Sequence, residues 1–301
     1  MRNIDSLLSI LNDPPGVIFL GECCGTIGEL WQGPVSYQGE ERVGIVSYPG
    51  SRRSRVTFAP PGNHSSGIPL GWKSRKAAEL FAEETGLPVP RGQWLCWSEL
   101  PEGRGMSSSS ADIVATLRCL TDYHGLIEDT ALYERVMSRI ERSDPIFAPT
   151  PRLYLTGAHH TVTAFPTPAL ICCYFHHGHA VSTCGVTEKA LLTCYAAHRR
   201  RYQDSLAMMA HGLNAGDLAM IGEATTASAL LAQHHLPNPA VGHAAAVAGE
   251  LGALGIFRAH TGSLVGMLFD ADAPPNRLLV EESITARVGV TTVHWEGLHA
   301  R

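Results

Sequence analysis

The stretch that most restricts this chain is Leu100-Pro101-Glu102-Gly103-Arg104-Gly105-Met106-Ser107-Ser108-Ser109-Ser110-Ala111-Asp112. A proline and two glycines lead into four consecutive serines. An apolar pattern follows, with Ile113, Leu117 and Leu120 on one side at helical spacing and Val114 at its edge. Ser109 and Asp112 have the Ser-x-x-Asp form of a capping box. The segment therefore reads as a flexible loop entering a helix N-terminus, where unpaired N–H groups and the positive end of the helix dipole favour anions, phosphate above all. A serine-rich turn with a good cap would use the same residues with no ligand. No Gly-Lys-Ser/Thr follows the glycines, so this is not a Walker loop. No Gly-x-Ser-x-Gly is present either, which leaves a serine hydrolase built on Ser107–Ser110 without its nucleophile elbow.

With 301 residues there is room for two modest domains or one large one. Hydrophobic residues make up 45% and charged residues 17%, enough for an ordinary packed core. The net charge is −5, and the only basic clusters are Arg52-Arg53-Ser54-Arg55 and Arg199-Arg200-Arg201, read as solvated faces. A nucleic-acid partner is disfavoured. No apolar run has the length of a membrane helix. Met1 to Asp13 has neither a basic start nor an Ala-x-Ala site, and Leu7, Leu8, Ile10 and Leu11 suggest a short docking helix. The eight cysteines include the adjacent pairs Cys23-Cys24 and Cys172-Cys173 but no Cys-x-x-Cys, so neither a disulfide framework nor a familiar zinc spacing is present. A reducing cytoplasm is the expected compartment.

Along the chain, Val17–Leu20 predicts a strand. It leads into Gly21–Gly33, where four glycines suggest a hairpin with glycine bends. Gly44–Ser47 and Arg55–Phe58 predict further strands, and Trp72–Thr85 a helix ended by Gly86 and Pro88. Gln93–Ser98 predicts a strand entering the serine loop, whose helix runs to about His124 and closes at Gly125. A second helix is expected over Asp129–Glu141, with Leu132, Val136 and Ile140 on one face. Four prolines between Pro149 and Pro168 mark a domain boundary, giving domains of 1–165 and 166–301. The second half opens with a buried strand, Ala169–Phe175. Helical regions follow at Thr187–Leu213, Gly216–His235 and Pro239–Leu254, and strands at Leu264–Phe269 and Val290–Trp295 close the chain. Strands, then loop, then helices argue for an α+β first domain.

Pro145 keeps Asp144 out of helical conformation, while Glu141 would lie on the last turn of the preceding helix. Two carboxylates could thus enter one cleft, or simply face water at a solvated helix end. His159-His160 and His176-His177-Gly178-His179 invite a metal reading. Adjacent residues of a strand point to opposite sides, so surface or edge histidines are expected instead.

Pro101-x-x-x-Gly105-Met106-x-Ser108-Ser109-x-Ala111 resembles the phosphate loop of the GHMP kinases (galacto-, homoserine, mevalonate and phosphomevalonate kinases). It is closer still to the Gly-Met-x-Ser-Ser-x-Ala-Asp form of the L-threonine kinase branch of cobalamin assembly. Cys23, Gly25, Thr26, Gly28, Glu29, Leu30, Gln32 and Gly33 match that branch's N-terminal signature, with Cys24 for its proline and Ile27 for its second cysteine. Glu141, Ser143 and Asp144 match its Glu-Pro-Ser/Thr-Asp, with Arg142 for proline. Ala259-His260-Thr261-Gly262 and Gly266 match its third motif, and Ser182 stands where it often has aspartate.

The resemblance implies the two-domain α+β GHMP kinase fold. Its N-terminal domain is like the second domain of ribosomal protein S five, and its C-terminal domain is ferredoxin-like. It implies ATP on Pro101, Gly103, Arg104, Gly105, Met106, Ser107, Ser108, Ser109 and Ser110, and Mg2+ on Glu141 with the loop serine Ser109, the choice between Ser108 and Ser109 staying open. Asp144 would be the base toward the acceptor hydroxyl. Thr26, Gly28, Glu29, His260, Thr261 and Gly262 would shape the substrate pocket. Ser107 and Ser110 are expected to cap the helix, and Arg104 to meet phosphate or water. The implied activity is ATP-dependent phosphorylation of a small amino acid, L-threonine to O-phospho-L-threonine. Another hydroxylated amino acid or amine, or an inactive metabolite-binding relative, are the alternatives. A homodimer is left open.

Overall fold

The computed structural model describes residues 18–61, 67–179 and 187–298. The N-terminal docking helix and Ser182 lie outside them. Among the described residues ten strands run in the order β1 Phe19–Tyr37, β2 Glu40–Ala59, β3 Ile68–Pro69, β4 Gln93–Ser98, β5 Arg152–Leu155, β6 His160–Ala164, β7 Leu170–His176, β8 Gly255–Arg258, β9 Leu264–Asp270 and β10 His294–Leu298. The helices are α1 Trp72–Thr85, α2 Ser108–Tyr123, α3 Thr130–Ser138, α4 Glu188–Tyr195, α5 Arg199–Ala215, α6 Leu218–Ala232, α7 Pro239–Ala248 and α8 Arg277–Val288. No helix among the described residues is long and apolar enough to cross a membrane.

One antiparallel sheet has the order β10-β7-β9-β8-β1-β2-β4-β3, and the β5–β6 hairpin pairs with β2. The two halves of the sheet meet at a single β1–β8 rung, Glu29 opposite Arg258. Gln38 and Gly39, both at positive φ, form the two-residue turn between β1 and β2, as a type I′ hairpin requires. The proline-rich segment read as a boundary carries the β5–β6 hairpin, whose partner on β2 could not be read locally.

Residues 19–37 form one long strand, not a hairpin with glycine bends. Register shifts between Cys24 and Thr26, Thr26 and Glu29, and Glu29 and Trp31 absorb the irregularity. Such bulges re-aim side chains and interrupt the ladder only locally. Likewise Gly44–Ser47 and Arg55–Phe58 are two parts of the single strand β2.

Helix α1 matches its predicted bounds, and Gly86 closes it in the left-handed conformation. Helix α2 is buried on nearly every side because it lies on β1 and β2 and beneath α1 and α3. The predicted capping box does not form. Helix α2 starts at Ser108 with no side-chain cap. Ser109 bonds to Glu141 instead, and Asp112 accepts from Ser54 Oγ at 2.5 Å. Helix α3 ends at Ser138, short of Glu141, although Glu141 N–H still reaches Met137 O at 3.0 Å. The long helical region after Thr187 is broken by a 3-10 turn at Ala196–His198.

Strand β7 is buried on both faces. Leu170, Cys172 and Tyr174 join the main core, while Ile171, Cys173 and Phe175 join a second core with α7 and α8. A doubly covered strand reads as a continuous apolar run, which is how it appears in the sequence. Helix α8 has no counterpart among the predicted elements, although Asn276 caps it and Gly289 ends it. The closing strand starts at His294, not Val290. The arginine runs are not plain solvated faces: Arg53 and Arg55 both pair with Glu22, and Arg199 pairs with Glu41.

Candidate active site

Three distant segments meet backbone to backbone around the start of α2. Thr26 N–H donates to Met106 O at 3.2 Å. A Cβ on Gly25 would stand 2.3 Å from that same carbonyl. Gly105, at φ +86°, faces the third motif, where an added Cβ would lie 2.1 Å from Ala259 Cβ. Only glycine permits both the conformation and the approach. Arg104, half-buried, turns toward the second half of the chain. Its Nη1 donates to Gly178 O at 2.8 Å and Ser263 Oγ at 3.1 Å, tying the loop to the second half of the chain.

Ser107 precedes α2 at φ +56°, a left-handed conformation that costs a non-glycine residue on the order of 1–3 kcal/mol. Tertiary contacts hold it there. Its Oγ donates to Asp144 Oδ2 and lies 2.7 Å from Thr26 Oγ1. Ser47 Oγ donates to the other carboxylate oxygen, Oδ1, at 2.9 Å. Glu141 accepts from Ser109 Oγ and Ser110 Oγ, both at 2.9 Å, and pairs with Lys73. Ser107 and Ser110 are therefore not helix caps. Their hydroxyls are drawn to the two acids, leaving the first-turn N–H groups of α2 without a side-chain cap.

A cavity of about 140 Å³ collects the four loop serines with Glu141 and Asp144. Of the residues proposed from sequence it brings together Glu29, Gly103, Gly105, Met106, Ser107, Ser108, Ser109, Ser110, Glu141, Asp144 and Thr261. Pro101, Arg104, Gly28, His260 and Gly262 are outside its lining, and Thr26 lines a neighbouring cavity of about 300 Å³ that contains no carboxylate. Gln32, Ile45, Arg142, Ser143 and Thr156 complete the wall. Lys73 and Ser47 were not among the predicted site residues. Lys73 meets Glu141 across 68 positions of sequence, a separation that no local pattern encodes.

Electrostatics set the two deepest acids apart from ordinary carboxylates. Burial pushes Asp144 up to about 7; the Glu29 carboxylate adds to the rise, and the Ser107 and Ser47 hydroxyls oppose it. Burial also pushes Glu29 up to about 7, against the His260 N–H and the Arg258 charge. Glu29 Oε2 accepts from His260 N–H at 2.8 Å. Burial and Arg258 drive His260 down to about 3, so its ring contact with Glu29 at 3.4 Å joins a neutral imidazole and is no ion pair. His159 is buried, not at the surface, with Nε2 2.9 Å from Glu141 O. Among the described residues no group of three His, Cys, Asp or Glu side chains is arranged for a metal ion.

Residues 73–148 match the family described as GHMP kinases N terminal domain. The chain is 25% identical to the L-threonine kinase of Citrobacter freundii, over 93% of this chain and 95% of that one. Residues 73–148 and the kinase relative thus make the chain similar to the GHMP kinases. Solved GHMP kinases share the fold. The homoserine kinase from Cytophaga hutchinsonii superposes with a TM-score of 0.63 at 12% identity, covering 96% of this chain and 98% of that one. The mevalonate kinase from methicillin-resistant Staphylococcus aureus superposes with a TM-score of 0.64 at 16% identity, covering 93% and 99%. The matched domain and the kinase relative make the protein an ATP-dependent kinase, and its α+β architecture is that of the solved GHMP kinases.

Proposed function

We propose that the protein transfers the γ-phosphate of ATP to the side-chain hydroxyl of a small amino acid, L-threonine foremost, giving O-phospho-L-threonine. The observation that carries this reading is the position of Asp144, hydrogen-bonded to the serine at the helix N-terminus and open to the same cavity as Glu29. The relative from Citrobacter freundii, an L-threonine kinase, supports the choice of acceptor. ATP phosphates rest on Gly103–Ser110, where N–H groups and the helix dipole meet. Asp144 takes the hydroxyl proton as the acceptor oxygen bonds to the γ-phosphorus and the bond to the departing ADP oxygen breaks. Glu29, with Thr26, Gly28, His260, Thr261 and Gly262 framing it, receives the acceptor's ammonium. The two domains of this reading divide between β6, which ends at Ala164, and β7, which starts at Leu170.

Magnesium suits the residues at Glu141. One carboxylate and the hydroxyls of Ser109 and Ser110 converge as hard oxygen donors, and the same carboxylate already holds a positive charge from Lys73. Bound there with the nucleotide, the ion would neutralise phosphate charge. Glu141→Gln is expected to lower turnover on the order of 100-fold and to raise the magnesium concentration needed for half-maximal rate. A titration of rate against magnesium checks it, and an unchanged titration removes Glu141 from the role.

A panel of hydroxylated amino acids and amines incubated with ATP, read for ADP and phosphorylated product, tests the function. L-threonine is expected to give the highest kcat/KM. Turnover of another acceptor with L-threonine inert would reassign the substrate.

A further inference from the structure

Arg142 stands in an unusual condition for a half-buried arginine. Guanidinium groups withdrawn from water are normally paired. Arg142 Nη1 has one hydrogen bond among the described residues, to Thr156 Oγ1 at a long 3.5 Å, and takes part in none of their ion pairs. The carboxylates beside it in the chain are engaged elsewhere: Glu141 by Lys73, Ser109 and Ser110, Asp144 by Ser107 and Ser47. Yet Arg142 lines the cavity that holds Glu29 and Asp144.

Its surroundings set it apart from the phosphate cradle. Thr156 is anchored to β2 through its N–H to Val43 O at 3.1 Å. Burial pushes the Tyr195 phenol well up, the hydrogen bond it accepts from Gln32 Nε2 at 2.5 Å opposes the rise, and the Arg142 charge opposes it further. Arg142 thus belongs to the wall of Thr156 and Gln32, while Ser107, Ser109 and Ser110 are turned to Glu141 and Asp144. One cavity presents an acid at Glu29, a base at Asp144 and an unpaired fork of N–H donors at Arg142. A planar guanidinium matches a carboxylate through two parallel hydrogen bonds. A zwitterion with a hydroxyl satisfies all three.

We propose that Arg142 anchors a carboxylate on the phosphate acceptor, so that this kinase selects hydroxylated amino acids over the amino alcohols that lack the acid group. The inference rests on the amino-acid kinase reading above. It makes Arg142 a specificity-determining residue and Glu29 its counterpart at the ammonium.

The test pairs each hydroxylated amino acid with its decarboxylated amine, for instance L-threonine with 1-aminopropan-2-ol, on the wild-type enzyme, Arg142→Met and Arg142→Lys. The wild type is expected to favour the acid by on the order of 10- to 100-fold in kcat/KM. Arg142→Met is expected to raise the acceptor KM by a similar factor with the ATP KM unmoved, and Arg142→Lys to fall between. Equal use of acid and amine by the wild type, or an unchanged acceptor KM in Arg142→Met, overturns the anchor. A raised ATP KM with the acceptor KM unmoved assigns Arg142 to phosphate and also overturns it. If no acceptor is phosphorylated while a non-hydrolysable ATP analogue still binds, the amino-acid kinase reading itself falls, and the anchor with it.

Discussion

Asp144→Asn is expected to lower kcat by about 10²- to 10⁴-fold while the enzyme still binds a non-hydrolysable ATP analogue. The substitution keeps the shape and the acceptor oxygen for Ser47 or Ser107 but cannot take a proton. In the wild type the carboxyl titrates near 7 because it is buried and faces Glu29. The rate should therefore rise with pH through about 7, as the base loses its proton. Removing the neighbouring charge with Glu29→Gln should shift that limb to lower pH, since the two acids titrate as a coupled pair.

Stability should move the opposite way. From the ordinary value of 3.8 up to about 7, the native state keeps a proton that the unfolded chain has released. Folding stability thus falls as pH rises through this window and levels off above it. Asp144→Asn should accordingly melt above the wild type at pH 8, by about 2–4 °C for each kcal/mol recovered, and the gap should close toward pH 4. Thermal melts across pH, set beside the rate profile, separate the catalytic effect from the structural one. An asparagine variant with near-normal kcat would end the assignment of the base.

Gly105→Ala is the second large effect. Two costs add. The residue sits at φ +86°, which a Cβ disfavours by about 1–2 kcal/mol, and the new methyl would stand 2.1 Å from Ala259 Cβ. Overpacking of that kind costs about 1–3 kcal/mol more. The loop has to leave its place against the third motif, so ATP-analogue affinity should fall at least tenfold and the melting temperature by several degrees. Gly105→Ala with Ala259→Gly should recover the packing part and leave the conformational part, a partial rescue that a double-mutant cycle reads directly. A Gly105→Ala protein that melts and binds like wild type would show that this contact does not hold the loop.

Much of the frame is local in origin and so legible in the chain. Helix α1 is fixed by Gly86 at one end, and β4 is isolated between Pro90 and Pro101. What could not be read locally was decided by partners far away. Ser109 and Asp112 form a capping box on paper, but Glu141 claims one and Ser54 the other. The glycines of residues 21–33 suggest bends, but pairing with β2 along nearly the whole strand keeps it extended. Helix α8 did carry a signal, with Val280, Ile284 and Val288 four apart between an asparagine cap and Gly289. Lys73 carried none: it is one cation on a helix with several, marked only by its distant partner.

Main chain and glycine make the closest contacts that join the loop to its two supporting segments, with Ser107 and Arg104 as side-chain ties, whereas the wall beyond Asp144 is made of side chains such as Gln32, Thr156, Arg142 and Glu29. The donor end thus rests on a main-chain frame with a few fixed side chains, and the recipient end is made almost wholly of side chains. A scaffold divided in this way can exchange one metabolite for another by a few replacements on one wall while its grip on the nucleotide is inherited intact.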